Sequence, residues 1–425
     1  MILICRSMIL EVCCRWTLAT IVALGLSRGA GAEFPVAEPA AAQAADGAVA
    51  RVGHRAKGFE ADGVTFCSDF PSAYVSEYQR LDSGAFQLTI RPENTPINNS
   101  AWYAFRVKAD QPRTIDVHLT YENGTHRYRP KISRDGKDWS PLDDGSIQRM
   151  DRRLVVLQLD VDRQPLWVAA QELVVRETLE TWMSRLAELP FAEQTVIGRS
   201  VEDRPIYQVQ ITESEDPGHV IVIGRQHPPE VTGSLGQIAF VDRLVEADDL
   251  AVQFRRAFKL HVVGLVNPDG VDRGFWRHNV HGVDLNRDWG PFAQPETRAV
   301  RDQVMPLHES PDQTLYLWLD FHSTHHDVFY TQPDEAETFP PEFTRRWLEA
   351  LDDRTPGYSV RRSSSLNDRP TSQQWAHRTF GIPAITYEFG DNTDREVIHR
   401  VARISAEEMM RLLVPLRQPV ASTTP

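Results

Sequence analysis

The apolar residues of the chain follow two successive patterns. From about residue 58 to residue 174, turn clusters such as Glu122-Asn123-Gly124 separate short apolar runs at 86–90, 102–107, 114–119 and 154–161. From residue 177 onward, apolar strands expected at 206–211, 220–223, 260–266, 315–321 and 382–388 alternate with helical patterns at 177–189, 231–245 and 395–416. The first pattern is typical of a β-sandwich and the second of an α/β fold. We therefore predict an N-terminal all-β sandwich followed by an α/β domain with a mixed sheet.

The first 32 residues resemble a secretory signal. Arg6 and Arg15 precede an apolar stretch at 16–26, and small residues allow cleavage after Ala32. An uncleaved anchor is the alternative. Cleavage would give a periplasmic or secreted protein with no stable membrane association. The predicted division is a signal peptide at 1–32, a flexible linker at 33–57, the sandwich at 58–175, the α/β domain at 176–418 and a disordered tail at 419–425.

Charge and cysteine content narrow the class of protein. The formal net charge is −13, and it becomes −15 without the first 32 residues, which hold three arginines and one glutamate. A chain this acidic is not expected to bind nucleic acid through its overall field. Cys67 is the only cysteine outside the predicted signal, so no intramolecular disulfide is expected. The oligomeric state stays open.

Two candidate metal ligands lie where a strand gives way to a helix. His227 and Glu230 follow an apolar run at 219–224 and precede the helical pattern that starts at 231. In open α/β sheets this edge is where ligands bind. A third candidate, His322, follows the apolar run at 315–321, with Asp320 as a candidate partner. His, Glu and His would suit zinc, which in hydrolases usually takes three protein ligands. His325 and His326 are rival third ligands.

A short Gly-rich loop and a later strand supply further polar groups. Arg277 precedes Asn286 and Arg287 by nine and ten positions, and together they form a receptor for an anion such as a carboxylate. Glu388 lies within an apolar strand, where a carboxylate is costly without a partner. It is either half of a buried ion pair or a general base of raised pKa. The chain has no G-x-S-x-G motif, so a serine hydrolase is unsupported.

Taken together, the motifs resemble the zinc carboxypeptidases of the M14 family. The matching pieces occur in the family's order: His227-x-x-Glu230, Trp276-Arg277, Gly282-Val283-Asp284-Leu285-Asn286-Arg287, His322-Ser323 and Thr386-Tyr387-Glu388. The short interval between Arg277 and Asn286 resembles the cytosolic carboxypeptidase branch, which trims acidic residues from protein tails and carries a β-rich domain before its peptidase domain. The segments at 100–107 and 128–133 resemble that upstream domain.

The resemblance implies a role for each matched residue. His227, Glu230 and His322 would hold one zinc ion per chain, and Asn286 and Arg287 would bind the substrate's terminal carboxylate. Arg277 would stabilise the oxyanion, and Glu388 would act as general base and then general acid. Gln373, two positions before Trp375, matches the family's specificity position. The family's active-site tyrosine is missing, because Leu366 occupies its position and Tyr358 has the wrong spacing.

We therefore predict a zinc metallocarboxypeptidase that acts on the C-terminus of a peptide or protein. One alternative is a zinc amidase or endopeptidase that cuts peptidoglycan stem peptides or deacylates an amino acid. The other is a non-catalytic peptide-binding module.

Overall fold

The computed structural model of the protein describes residues 55–94 and 98–417. The predicted signal peptide, the predicted tail and all but the last three residues of the predicted linker lie outside this part. No helix within these ranges combines the length and the apolarity that a membrane crossing requires. Cys67 is a free cysteine.

The N-terminal part forms two facing β-sheets. Its strands are β1 (Gly58–Ala61), β2 (Val64–Cys67), β3 (Glu77–Arg80), β4 (Phe86–Ile90), β5 (Ala104–Ala109), β6 (Arg113–Tyr121), β7 (Lys131–Ser133), β8 (Ser140–Pro141), β9 (Ile147–Arg149), β10 (Leu154–Val161) and β11 (Leu166–Ala169). One sheet has the order β1-β2-β5-β11-β7-β8 and the other β3-β4-β6-β10-β9. This confirms the predicted sandwich.

Alternating burial explains the sandwich. In β10, Leu157 and Leu159 are buried, whereas Gln158 and Asp160 between them face solvent. This period of two places one face of the strand against the opposite sheet. Trp102, at 2% exposed, belongs to the same core.

The C-terminal part surrounds one eight-stranded sheet with helices. Its elements are α1 (Arg176–Ala187), β12 (Ala192–Arg199), β13 (Pro205–Ile211), β14 (Gly218–Gly224), α2 (Val231–Leu244), α3 (Asp249–Ala257), β15 (Phe258–Val263), α4 (Pro268–Arg273), α5 (Pro295–Glu309), β16 (Thr314–Thr324), β17 (Val328–Thr331), α6 (Phe343–Arg354), β18 (Arg362–Ser364), α7 (Ser372–Phe380), β19 (Ala384–Gly390) and α8 (Arg395–Leu413). The strand order is β12-β13-β15-β14-β16-β19-β17-β18. Strands β15, β14, β16 and β19 run parallel, and β12, β13 and β17 pair antiparallel, so the sheet is mixed as predicted.

Helices cover both faces of the central strands, which explains their continuous apolar runs. In β14, Val220 and Val222 pack into the core beneath α2 and α8, whereas Ile221 and Ile223 pack into the core beneath α5 and α7. Because both faces are buried, the carboxyl edge of the parallel strands is where polar groups reach the surface. That edge positions the candidate site.

Some element boundaries differ from the sequence prediction. The strand expected at 260–266 ends at Val263, and the last helix ends at Leu413, after which residues 414–416 form a 3-10 turn. The division predicted between residues 175 and 176 falls between the last sandwich strand and α1. The described residues belong to one compact unit, and that boundary stays a prediction.

Candidate active site

His227 and Glu230 lie in the loop that joins β14 to α2, as predicted. Glu230 is the residue directly before the helix. Arg225 shapes the loop: its backbone φ is 56°, in the left-handed region, and its buried guanidinium donates to the carbonyls of Pro228 and Val174. A non-glycine residue in this region is strained unless its surroundings fix it. The hydrogen bonds of Arg225 therefore fix the loop that carries both candidate ligands.

His322 lies inside β16 and not at its end, which corrects the sequence prediction. The strand continues to Thr324 because its last residues still pair with β19. Helix α2 crosses β16 at this point. A Cβ atom on Gly233 would collide with the carbonyl oxygen of His322, so only glycine allows the helix to approach so closely.

The three predicted metal ligands come together. The Nδ1 atom of His227 lies 2.8 Å from Oε1 of Glu230, and Nδ1 of His322 lies 2.7 Å from Oε2 of the same carboxylate. Within the described ranges this is the only group of three such residues whose ligand atoms converge. His325 does not join it, because its exposed ring lies 4.0 Å from Asp391.

These residues fit a zinc ion. Burial alone would raise the pKa of Glu230, but the charges of His227 and His322 outweigh burial and hold it well below the usual range. The carboxylate is therefore ionised between two imidazoles, which is the form that binds a metal. Two histidines and one glutamate are a donor set typical of catalytic zinc.

Each of the two histidines also contacts an aspartate through the ring nitrogen that faces away from Glu230. Nε2 of His227 lies 2.9 Å from Oδ1 of Asp284, and Nε2 of His322 lies 2.9 Å from Oδ2 of Asp320. Such contacts fix the orientation of the ring and leave Nδ1 for the metal. Asp320 shares a face of β16 with His322 because the two residues are two positions apart. The sequence motif contained Asp284 but gave no indication of this role.

Asp320 is itself held by several donors. It is fully buried, and its Oδ2 accepts hydrogen bonds from Nε2 of Gln226, at 2.6 Å, and from the hydroxyl of Ser372. Gln226 is fixed in turn by the indole N–H of Trp289, which donates to its Oε1 at 2.8 Å. These contacts partly offset the cost of burying Asp320, and they all reach Oδ2, because Oδ1 has no hydrogen-bond partner among the described residues.

The two predicted arginines occupy different environments. Nε of Arg277 donates to Oδ2 of Asp284 at 2.7 Å, so Asp284 joins Arg277 to His227. Arg287 is exposed and donates to the carbonyl of Asn286, and no carboxylate of the described residues lies within ion-pair distance of it. Partial burial and the nearby charges of Arg277 and Arg369 lower the pKa of Arg287. Arg277 and Arg369 are therefore close enough to Arg287 for their charges to act on it.

Asn286 is placed beside the candidate ligands. Its Oδ1 accepts from the backbone N–H of Ser372 at 2.9 Å, and its Nδ2 lies 3.5 Å from Nε2 of His322. Gln373 follows Ser372 on α7 and is 5% exposed. Its Nε2 receives no hydrogen-bond partner from the described residues, so a buried donor remains for a ligand.

Glu388 lies on β19, directly opposite His322 of β16. Burial, together with the charge of Glu230, raises the pKa of Glu388 to about 7. No group in the described part of the chain bonds its Oε2 atom. The described residues provide no ion-pair partner for Glu388, and a carboxyl of raised pKa is what a general base requires.

The residues near the position of the missing tyrosine give no direct replacement. Leu366 is 48% exposed, and Tyr358 is engaged with Asp327. Tyr330 of β17 was not predicted. It pairs with Thr386, two positions from Glu388, so its side chain shares the face of the sheet that carries Glu388.

The sandwich also reaches the site, which no local sequence pattern indicated. Arg127 forms two hydrogen bonds with Asp391, at 2.6 and 3.1 Å, just beyond the end of β19. Its guanidinium lies 5.2 Å from the ring centres of both Tyr128 and Trp276. Glu93 accepts from the backbone N–H of Arg277 at 2.9 Å. Both parts of the chain therefore contribute to the surroundings of the candidate ligands.

Two protein-family models match the chain. The model described as zinc carboxypeptidase matches residues 179–408, and the model described as cytosolic carboxypeptidase N-terminal domain matches residues 66–170. The first match covers most of the mixed sheet and its helices, and the second covers most of the sandwich.

Curated relatives are similar over part of their length. Cytosolic carboxypeptidase 6 of Mus musculus is 30% identical over 291 residues, which cover 61% of this chain and 53% of the relative. Cytosolic carboxypeptidase 6 of Caenorhabditis elegans is 21% identical over 285 residues, covering 61% of this chain and 62% of the relative. The chain thus spans less than two thirds of either relative.

Solved structures share the fold. A metallo-carboxypeptidase from Burkholderia cenocepacia superposes with a TM-score of 0.69 at 20% identity, covering 83% of this chain and 99% of that one. A metallo-carboxypeptidase from Pseudomonas aeruginosa, solved with (2-guanidinoethylmercapto)succinic acid, superposes with a TM-score of 0.67 at 22% identity, covering 83% of this chain and 100% of that one.

Proposed function

Because the chain belongs to the M14 zinc carboxypeptidase family, we propose that it removes C-terminal residues from peptides or proteins. The family assignment confirms the resemblance drawn from the sequence motifs and identifies the protein as a zinc-dependent hydrolase. The removed residue, the substrate and the number of zinc ions belong to the proposal.

The proposal gives each residue of the site one task. His227, Glu230 and His322 hold one zinc ion, which when bound supplies a water molecule of lowered pKa and polarises the scissile carbonyl. Glu388 takes the proton from the attacking water and later gives it to the departing amine. Arg277 stabilises the negative charge that develops on the carbonyl oxygen, and such donors typically contribute about 3 kcal/mol. Asn286 and Arg287 bind the substrate's terminal carboxylate.

The observation that carries the proposal is the contrast between Arg277 and Arg287. Asp284 already neutralises Arg277, whereas Arg287 is exposed, donates to the carbonyl of Asn286 and has no carboxylate within ion-pair distance among the described residues. An exposed cation without a carboxylate partner, directly after the Asn286 that lies beside His322, suits a substrate that brings its own carboxylate. Fixing that end of the peptide orients the scissile bond.

A comparison of free-acid and amidated peptides tests this proposal. Amidation removes the charge that Arg287 would bind, and losing one charge-assisted bond typically lowers kcat/KM about ten- to a hundredfold. Arg287→Ala should show a similar loss on the free acid and little further loss on the amide, because both changes remove the same contact. Arg345→Ala, a change at a partly exposed arginine that pairs with Glu342 and Glu349, should leave both rates unchanged.

The same experiment separates the alternatives. Equal cleavage of acid and amide by the native enzyme would reject the carboxypeptidase and favour an amidase or endopeptidase that recognises an internal group. A zinc-loaded protein that cleaves neither peptide would favour a binding module.

We also propose that the enzyme prefers C-terminal residues whose side chains accept hydrogen bonds, acidic residues included. The buried and unpartnered Nε2 of Gln373 and the proximity of Arg369 to Arg287 support this preference. Gln373→Leu should move the preference from glutamate toward leucine in a screen of C-terminal residues. An unchanged ranking would exclude Gln373 from side-chain recognition.

Export from the cytoplasm is part of the proposal and rests on the first 32 residues of the sequence. Cell fractionation and N-terminal sequencing test it. A mature N-terminus at Glu33 in the periplasm or medium is expected, and a cytoplasmic protein that keeps these residues would reject the proposal.

A further inference from the structure

Two segments of the sandwich form hydrogen bonds with residues 271–279, the stretch that contains Arg277. The first is at Ser72, whose hydroxyl donates to the carbonyl of Val271 at 2.7 Å and whose N–H donates to the carbonyl of Asp272 at 3.0 Å. Gly274 lies against it with a left-handed φ of 68°, and a Cβ atom there would come within 2.6 Å of the Ser72 carbonyl oxygen. The backbones are therefore in close contact, and any side chain at Gly274 would separate them.

The second segment contains Glu93, which is fully buried. Its Oε1 accepts hydrogen bonds from the backbone N–H of Arg277, at 2.9 Å, and from Nδ2 of Asn98, at 2.7 Å. The neighbouring Asn94 donates to the carbonyl of Asn279 at 3.1 Å, and its Oδ1 lies 2.8 Å from Nδ1 of His278. Residues 277–279 are thus bonded residue by residue to the sandwich.

These contacts hold Arg277 at both ends. Glu93 fixes its backbone, and Asp284 fixes its guanidinium through Nε at 2.7 Å. A long side chain fixed only at its tip could still shift with its loop. With both ends fixed, the guanidinium of Arg277 is held near His227, the candidate metal ligand that Asp284 also contacts. Electrostatic stabilisation of a transition state depends on such prior placement.

If Glu93 served only to hold the sandwich against the catalytic part, an apolar residue would stabilise that contact at least as well as a buried carboxylate. Removing a charge from water is unfavourable, and an apolar contact of the same size would commonly be neutral or stabilising. Glu93 contacts the catalytic part through the backbone N–H groups of Arg277 and His278, and it forms no ion pair with a cationic side chain of residues 55–94 and 98–417. A role that explains a carboxylate at this position is to fix the backbone of Arg277 and His278 by accepting their N–H groups.

We propose that Glu93 is a positioning residue for Arg277, so that the sandwich belongs to the catalytic machinery and is not only an attached domain. This inference rests on the proposed function, in which Arg277 stabilises the oxyanion. It predicts a loss of kcat without a loss of zinc when Glu93 is changed.

Glu172 provides a matched control at the same interface. It is a partly buried glutamate that forms two hydrogen bonds with Arg395 of α8, at 2.6 and 2.8 Å, and an ion pair with Lys131 at 2.9 Å. None of these partners contacts Arg277. Glu172→Ala therefore weakens the interface without releasing the Arg277 backbone.

The test measures kcat, KM and zinc content of Glu93→Ala, Glu93→Gln and Glu172→Ala in the full chain. Glu93→Ala should lower kcat about ten- to a hundredfold, since a shift of about 1 Å in a catalytic group can cost a hundredfold. KM should stay within about twofold and zinc content unchanged. Glu93→Gln keeps an acceptor oxygen, so its kcat should lie between those of Glu93→Ala and wild type. It serves as the test variant if Glu93→Ala does not fold. Glu172→Ala should keep wild-type kcat.

Combination with Arg277→Ala distinguishes positioning from an independent effect. If Glu93 acts through Arg277, adding Glu93→Gln or Glu93→Ala to Arg277→Ala should cause no further loss. Additive losses, or an equal fall of kcat in Glu172→Ala, would overturn the proposal. Wild-type kcat in both Glu93 variants with a slow Arg277→Ala would overturn it while leaving the proposed function intact. A fully active Arg277→Ala would overturn the oxyanion role and this inference together.

Discussion

His322 and Glu388 are partners in register on neighbouring parallel strands, β16 and β19. Neighbouring strands lie about 4.8 Å apart, and paired residues point to the same face of the sheet. The backbone pairing of two central strands therefore places a candidate metal ligand beside the candidate base. A site held by buried strands keeps its geometry better than one held by loops.

The first prediction concerns the metal. One zinc ion per chain should be measured in the purified protein, and His227→Ala and His322→Ala should each lose it, because three ligands converge on one point. His325→Ala is the matched control and should retain the metal, since His325 is exposed and lies near Asp391. Retention by His322→Ala together with loss by His325→Ala would show that the third ligand is misassigned.

The second prediction concerns the base. Glu388→Gln preserves the shape of the side chain and removes its charge, and activity should fall at least about a hundredfold. Zinc content and melting temperature should stay close to those of the wild type. Glu408→Gln, at a buried glutamate of α8 that bonds Arg354, is the control and should keep its activity. A zinc-loaded Glu388→Gln enzyme with near-normal turnover would leave Glu388 without a catalytic role.

The third prediction concerns pH. Burial and the charge of Glu230 raise the pKa of Glu388 from 4.5 to about 7, and a zinc ion beside it would lower this pKa again. A base must be ionised to accept a proton, so activity should be present above its pKa and lost as the pH falls through it. The acid limb of kcat/KM should lie between about pH 4.5 and 7. A profile that stays flat down to pH 4 would contradict the assignment.

The fourth prediction concerns Asp284, which contacts both His227 and Arg277. Asp284→Asn removes the charge that orients the two residues, so two properties should change at once. Zinc affinity should fall about ten- to a hundredfold, as is common for such outer carboxylates. At saturating zinc, kcat should remain reduced because Arg277 loses its partner. Full recovery of kcat with added zinc would mean that Asp284 acts on the metal alone.

The fifth prediction concerns stability. Burial opposes ionisation of Glu172, but hydrogen bonds and charges from Arg395 and Lys131 prevail and lower its pKa to about 2. Because this pKa is lowered on folding, the contribution to the free energy of unfolding is present above pH 4.5 and is lost as the pH falls toward 2. Glu172→Gln should therefore be less stable than wild type at pH 7, by an amount on the order of 3 kcal/mol. Denaturant unfolding near pH 2.5 should show a much smaller difference.

The central strands could be predicted from the sequence because they are continuous apolar runs. β14 and β16 are apolar on both faces, and such runs must lie inside a sheet covered by helices. Helix α6 was missed, although Phe343, Trp347 and Leu351 recur at helical spacing, because charged residues between them obscured the apolar stripe. The edge strands β17 and β18 have only four and three residues, too few for a periodic signal.

The site was predicted as far as its residues lie in short motifs. His227, Glu230, His322 and Glu388 each stand near the end of an apolar strand, and the structure brings them together. Glu93 lies 184 positions from Arg277, and nothing in its local sequence indicates the contact. Contacts of this kind depend on how two folded parts meet, which no pattern along one segment contains.

The hold of the sandwich on residues 277–279 has a consequence for how the protein is made. All strands of the sandwich precede residue 170, so every residue of its two sheets is synthesised before the Arg277 segment. Domains generally fold as units, beginning at the N-terminus. We therefore expect the sandwich surface that contacts residues 277–279 to form first and the Arg277 segment to fold against it.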